Sequence, residues 1–255
     1  MIPKILHYCW FGKKKLPALA KKCIASWKKY CPDYELIHWN EDNFDLNSNT
    51  YVREAYDSGK FAFVTDYVRL WALYRYGGIY MDTDVEVIKS LDKFLVHPAF
   101  SGFETSDAVP TGIMASEQYG KWAESELKYY EHRHFLKKDG SIDITTNTKV
   151  ITEHLAESGF RFDNTYQEHK SVIVIYPQDF FCPKDWLTKK LVSFFRKYTC
   201  DSSFFRFIDS FSGKIQDENL FILAETFTIY CYLCKKIQAI IFPFFRSVQI
   251  FITAG

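Results

Sequence analysis

The rhythm of apolar and polar residues changes several times along this chain, and each change marks an element. Ile2 to Trp10 is largely apolar and closes on the turn pair Phe11-Gly12, as a short buried strand does. From Leu16 to Tyr30, Leu19, Cys23 and Trp27 recur four apart with lysines on the other faces, which predicts an amphipathic helix. Cys31-Pro32-Asp33 ends it, because proline cannot continue a helix. Tyr34 to Trp39 then alternates like a second strand. Strand, helix and strand in that order predict a β-α-β opening and a parallel sheet.

Asn40 to Asn49 reads as a polar loop. Phe61 to Tyr76 is the clearest helix, with Val64, Val68, Trp71, Leu73 and Tyr74 adding apolar surface, and Gly77-Gly78 terminates it. Ile79-Tyr80-Met81 enters a strand that runs into Asp82-Thr83-Asp84, followed by Val85, Val87 and Ile88. Further on, Ile113 to Ala115 and Val172 to Tyr176 predict strands, and Tyr119 to Tyr130 and Thr148 to Ser158 predict helices. No repeat or low-complexity segment is visible.

Composition narrows the function classes. A chain of 255 residues can enclose one sizeable α/β core. Its 32 Lys and Arg nearly cancel 31 Asp and Glu, so no global field favours nucleic acid and an anionic substrate needs local groups to hold it. Aromatic residues make up 18%, which suits stacking surfaces and core alike. The seven cysteines lie at irregular spacing, and the one C-x-x-C, Cys231 to Cys234, has no partner pair. They read as reduced, mostly buried residues of a cytoplasmic protein. Met1 to His7 lacks the apolar run of a secretory signal.

Asp82-Thr83-Asp84 carries the chemistry. In an extended segment residues two apart point the same way, so both carboxylates would face one site. Mg²⁺ and Mn²⁺ prefer oxygen ligands and commonly take a couple of carboxylates, with phosphate oxygens completing the shell. An isolated Asp-x-Asp is ordinarily a solvated turn. The run before it changes that weighting. Asp66 and Arg69 are three apart on the predicted helix and share one face. Arg69 offers a fork of donors for phosphate or sugar hydroxyls, and Asp66 can accept from hydroxyls. A surface ion pair without function is the plain alternative for these two residues.

Asp66-x-x-Arg69 together with Gly77-Gly78-x-Tyr80-x-Asp82-x-Asp84 resembles the DXD sugar-binding region of glycosyltransferase family 32, which includes yeast-type mannosyltransferases and bacterial capsule and exopolysaccharide enzymes. Ile2 to Gly12, Cys31-Pro32-Asp33-Tyr34-Glu35 and Trp39-Asn40 resemble the bacterial branch, and the likeness covers about residues 1–190. It implies a GT-A fold: a Rossmann-like, mostly parallel sheet with helices on both faces. It also implies a nucleotide-sugar donor (UDP- or GDP-), Mn²⁺ or Mg²⁺, retention of configuration, and a saccharide or lipid-linked saccharide acceptor in surface polysaccharide synthesis. By resemblance Asp82 and Asp84 hold the metal and ribose, Asp66 and Arg69 hold the donor sugar, Tyr80 packs against the nucleotide, and Asn147, in Thr145-Thr146-Asn147, lies near the donor. Trp10 is placed to stack on the base or to fill the core. His7 reads as a packed core histidine, and Glu104 to Thr111 is a candidate acceptor loop. A nucleotide-sugar hydrolase or pyrophosphorylase, and an inactive sugar-nucleotide binder, stay open as alternatives.

The C-terminal part departs from the family. Its bacterial members end the domain with a His-His pair that can complete the metal site, and nothing like it follows Pro177 to Trp186. Residues 191–255 are instead rich in phenylalanine. A reading-frame shift near Thr188 to Val192 is one account: Asp201 to Phe207 admits codons that, read one base later, give Ile-His-His-Phe-Ser-Ala. Sequencing the gene for a restoring single-base change tests it. The other account is a genuine extension. Leu220 to Cys234 and Ile237 to Ala254 are apolar enough for peripheral contact with the inner face of the plasma membrane, though Lys235, Lys236, Pro243 and Arg246 break any spanning helix.

Overall fold

Two parallel pairings at one side of a seven-stranded sheet set the frame for everything that follows. The computed structural model describes residues 1–110 and 112–183. Thr111, the end of the Pro177 to Trp186 segment, Cys231 to Cys234, the frame-shift account and the apolar C-terminal runs lie outside the described residues. Strand β1 (Ile5–Cys9) pairs in parallel with β2 (Glu35–Trp39) on one side and with β3 (Gly78–Met81) on the other. Helix α1 (Ala18–Tyr30) joins β1 to β2, which is the β-α-β unit the opening pattern predicts. Beyond β3 come β4 (Ala99–Gly102), β5 (Ile113–Ser116), β6 (Gln167–His169) and β7 (Ile173–Tyr176), in the spatial order β2-β1-β3-β5-β4-β7-β6.

The sheet is mixed where a mostly parallel one was expected. β5 runs antiparallel to both β3 and β4, and β6 runs antiparallel to β7; β4 and β7 are parallel. The physical reason is local: β4 and β5 are joined by a loop of ten residues without a helix, and such a link returns the chain beside itself in the opposite direction.

Helices α2 (Thr50–Asp57) and α3 (Phe61–Tyr76), α4 (Lys121–Lys128), α5 (Asn147–Glu157) and the short α6 (Gln178–Phe181) are the other helices among the described residues, with a 3-10 turn at Asp92–Phe94. Strand alternation sorts side chains between two cores. Leu6, Tyr8, Ile79 and Met81 face the core that also takes Cys23, Ile24 and Trp27 of α1. Cys9, Tyr80, Met114, Ile173 and Ile175 face the other, built with α2, α3, α4 and α5. Helices therefore cover both faces of the sheet.

His7 is fully buried at the junction of α3 and β3, as a core histidine should be. The Trp39 indole N–H donates to its Nδ1 at 3.1 Å, so Nε2 carries the proton and donates to the Gly77 carbonyl at 2.7 Å. Burial lowers its pKa to about 4 and keeps it neutral. The bend it secures needs glycine: Gly78 has φ +108°, and a Cβ there would lie 2.6 Å from the Ile5 carbonyl oxygen.

Candidate functional site

In an open α/β sheet, ligands bind beyond the carboxyl ends of strands where the chain departs in opposite directions from neighbouring strands. Here that switch point lies between β1 and β3. From β1 the chain goes to one neighbour, β2, and then crosses back to the other neighbour, β3. Cys9-Trp10 leaves β1 and Asp82 leaves β3 at this crevice.

Asp82 extends the β3–β5 ladder by one bond, its N–H donating to the Gly112 carbonyl at 2.8 Å. The chain then turns, with the Val85 N–H donating back to the Asp82 carbonyl at 3.1 Å. Extended structure ends at Met81, so the alternation argument for both carboxylates facing one way does not apply to Asp82 and Asp84. The charge of Asp84 reaches α1, where the Cys23 thiol is pushed up to about 11 by burial first, and then by Glu86 and Asp84. Asp82 is met by Arg69 of α3.

There Arg69 bridges two carboxylates. Its Nη2 lies 3.3 Å from Asp82 Oδ1 and 3.4 Å from Asp66 Oδ1, and its guanidinium sits 4.6 Å above the Tyr80 ring. Asp66 is buried and Arg69 nearly so, so the surface ion pair is not what forms. Burial works against the Arg69 charge, yet Asp82, Tyr80 and Asp66 hold its pKa above the ordinary value. Asp66 goes the other way. Burial raises its carboxyl to about 6, against the opposing pull of Arg69 and of the Asn147 N–H.

Asn147 opens α5 behind Asp66. Its backbone N–H donates to Asp66 Oδ2 at 3.1 Å, and its side-chain amide reaches the Asp66 carbonyl at 3.4 Å and the Tyr130 hydroxyl at 3.3 Å. Its Oδ1 is buried with no partner among the described residues. Asp66, Arg69, Asp82, Tyr80 and Asn147 thus form one connected network. Tyr80 stands differently from expectation: it is 1% exposed and its hydroxyl donates to Asp82 Oδ1 at 2.9 Å. With its ring under Arg69 it supports the charged groups and has no face to offer a nucleotide. Trp10 is half-buried at the crevice mouth, with its indole N–H donating to the Lys14 carbonyl at 2.6 Å.

Two contacts at the site were not assigned from the sequence. The loop from Glu104 leads to Gly112, and a Cβ on Gly112 would lie 3.1 Å from Asp82 Oδ2. Tyr130, fully enclosed, touches Asn147 from the turn that follows α4. Pro110-Thr111-Gly112 is a turn signal in sequence, but the partner across the sheet is visible only in the fold.

Among the described residues no three His, Cys, Asp or Glu side chains converge on one point. A cation here would draw on Asp82 and Asp84 and on ligand oxygens. That oxygen-only, incomplete donor set is one Mg²⁺ and Mn²⁺ accept, and the missing Cβ of Gly112 leaves Asp82 Oδ2 uncrowded. The residues fit such an ion.

Residues 17–101 match the family model described as a glycosyltransferase sugar-binding region containing a DXD motif. The chain is 31% identical to inositol phosphoceramide mannosyltransferase 3 of Schizosaccharomyces pombe, over 44% of this chain and 33% of that one. It is 25% identical to the mannosyl phosphorylinositol ceramide synthase CSH1 of Saccharomyces cerevisiae, over 92% of this chain and 64% of that one. Among solved structures, a PaToxG glycosyltransferase aligns at 19% identity with a TM-score of 0.46, over 61% of this chain and 69% of that one. The chain spans only 33% to 39% of the length of the first three curated relatives. The family match and the mannosyltransferase relatives are a likeness to DXD-containing glycosyltransferases over part of the chain. The bacterial capsule branch has no counterpart among these relatives, which come from yeasts and, in one case, a virus of Acanthamoeba.

Proposed function

We propose that this protein is a metal-dependent, retaining glycosyltransferase that moves a sugar from a UDP- or GDP-linked donor to a hydroxyl of a saccharide or lipid-linked saccharide. The observation that carries the reading is the meeting of Asp82, Arg69 and Asp66 at the β1/β3 crevice, with Asp84 on the turn beside them. Bound Mn²⁺ or Mg²⁺ would supply Lewis-acid neutralisation of the leaving diphosphate, held by Asp82 and Asp84. Arg69 adds a fixed positive charge in a half-dry site, where it costs no reorganisation as negative charge develops. Asp66, oriented by the Asn147 N–H, accepts from donor-sugar hydroxyls, and the half-buried Trp10 ring at the crevice mouth takes the base. The acceptor hydroxyl attacks the anomeric carbon from the face the diphosphate leaves: the new C–O bond forms as the bond to the phosphate oxygen breaks, and the hydroxyl proton passes to that departing oxygen, with no protein base assigned.

The names of the yeast relatives point to inositol-phosphate lipids as acceptors, whereas the resemblance to the bacterial branch implies surface polysaccharide; a lipid-linked glycan satisfies both. A screen of nucleotide sugars by thermal shift, with and without Mn²⁺, tests the donor. One donor should raise the melting temperature only when metal is present, because a ligand bound by the folded state alone stabilises it. Product analysis with that donor then separates the classes. Transfer to a glycan or glycolipid supports the proposal, free sugar as sole product indicates a hydrolase, and tight binding without turnover indicates a binder.

A further inference from the structure

The net charge of this chain is +1, yet its positive charge is not spread evenly. Residues 13–32 contain seven lysines and no Asp or Glu, and all seven lysines are exposed. Three of them, Lys13–Lys15, lie on the loop that follows Trp10 at the crevice mouth. The other four lie on α1. Lys21 and Lys28 are two turns apart, as are Lys22 and Lys29, so at 3.6 residues per turn they form two adjoining rows on one side of the helix. Ala18 and Ala25, both exposed, lie between the rows and leave the charges prominent. The opposite side, Ala20, Cys23, Ile24 and Trp27, is buried on the sheet, so the lysine rows face outward.

The usual fate of such a face is solvation with paired acids nearby. Here Glu86 pairs with Lys22 at 3.1 Å, while Asp33 and Asp92, at the far end of the helix, are taken by Lys4. Among the described residues no carboxylate lies within ion-pairing distance of Lys13–Lys15, Lys21, Lys28 or Lys29. An unpaired basic stripe about 20 Å long, continuous with the rim of the crevice, is suited to a flat anionic surface.

We infer that α1 and the Lys13–Lys15 loop dock this protein on an anionic lipid bilayer, bringing the β1/β3 crevice to the headgroup layer. The inference rests on the proposed lipid-linked acceptor, because a transferase whose acceptor is held in a bilayer must bring its crevice to that surface. Nucleic acid is the other flat polyanion, and among the described residues Trp10, half-buried, is the ring at the crevice mouth for bases to stack on.

The test is co-sedimentation of the full chain with vesicles of phosphatidylcholine alone or mixed with phosphatidylserine. Binding should require phosphatidylserine and fall as salt shortens the screening length. The combined variant Lys21→Glu, Lys28→Glu and Lys29→Glu should bind at least about a hundredfold more weakly, given roughly fivefold per lysine near an anionic surface. The matching Lys→Arg variant should bind like the parent. Transfer to a water-soluble acceptor and the melting temperature should be unchanged in both. Equal binding to the two vesicle types, full binding by the Glu variant, or tighter binding to duplex RNA than to vesicles would each overturn the inference. Vesicle binding that follows this pattern in a chain with no transferase activity would sink the proposed function and leave the docking surface standing.

Discussion

Two arginines in this protein rest on a tyrosine ring and face a buried aspartate, and they are held in opposite ways. Arg133 lies 4.2 Å over Tyr129 and closes on Asp143: its Nε donates at 2.8 Å, its Nη2 is closer still, and the Thr145 N–H takes the other carboxylate oxygen at 3.1 Å. Arg69 lies 4.6 Å over Tyr80 but stands 3.3 to 3.4 Å from two carboxylates, tight against neither. The titrations follow suit. Burial alone would raise both acids; at Asp143 the bonds from Thr145 and Arg133 outweigh it and lower the pKa, whereas at Asp66 burial wins and lifts it to about 6. A closed pair is finished structure. An open one has capacity left for oxygens and hydroxyls of a ligand, which is why perturbed groups of this kind mark functional sites.

The sharpest way to break the contrast is to remove one charge from each region and read turnover. Asp82→Ala and Asp84→Ala should each lower donor turnover by at least about 10²–10³, the loss seen when one fixed stabilising group goes. Arg133→Met should leave turnover within about twofold, since a pair outside the active site contributes no transition-state contact. Steady-state rates at saturating Mn²⁺ check both. An Asp84→Ala enzyme with parental turnover would remove the metal role, and a dead Arg133→Met enzyme would erase the distinction.

Stability gives the next largest difference. Arg69→Met leaves Asp66 buried without its counter-charge and should cost about 3–5 kcal/mol. Arg133 is 29% exposed and Asp143 keeps its Thr145 bond, so Arg133→Met should cost only about 1–2 kcal/mol. Denaturant titrations of the two variants measure this directly.

The same pair separates by pH. Asp66 has a folded pKa above its unfolded value, so its ionised form weakens the native state; that penalty is complete above about pH 6 and vanishes as pH falls below 4. Asp143 has a depressed folded pKa, so its stabilisation is present above the unfolded value and is lost only in stronger acid. From pH 7 to 5, the parent should therefore gain stability relative to Asp66→Asn, by about 1.3 kcal/mol for a shift of this size. Relative to Asp143→Asn it should be nearly flat over that window. A melting-temperature series for the three proteins shows whether the curves diverge in this order.

Much of this contrast could be read in advance, and the unread part has definite causes. The run from Phe61 to Asp84 announces a helix, a glycine stop and a strand, and all three form where their periods place them, with α3 spanning Phe61–Tyr76. Three-residue spacing put Asp66 beside Arg69, since helix geometry is local. The burial of that pair was invisible, because it depends on α5 arriving from 81 residues away. Helix α2 has only eight residues and directly follows the Asn- and Asp-rich loop, so its apolar period is too short to announce it, although Asn49 caps it by accepting from the Val52 N–H. Strand β6, Gln-Glu-His, has no apolar alternation to reveal it. Strand pairing ends at Met81 and a turn carries Asp82 to Val85, so period two does not by itself set the directions of the two acids.

The smallest change bears on the space left beside Asp82. Gly112 has no left-handed backbone requirement, so Gly112→Ala acts only through its added methyl, which meets Asp82 Oδ2 and Val85 Cγ2 at 3.1 Å. Contacts that short oblige a neighbour to move by a few tenths of an ångström, and the half-exposed Asp82 carboxylate is freer than the enclosed Val85. The displaced carboxylate would shift against Arg69 and the Tyr80 hydroxyl, which share its Oδ1. Turnover should fall several-fold, about 3- to 10-fold, while stability changes by less than about 1 kcal/mol, because one methyl at the edge of a core is a mild overpacking. The apparent Mn²⁺ requirement should rise in the same variant if Asp82 holds the ion. An unchanged metal requirement together with reduced turnover would instead place Asp82 as a partner of Arg69 alone, and the open pair would then be a phosphate or sugar clamp working beside, rather than with, the cation.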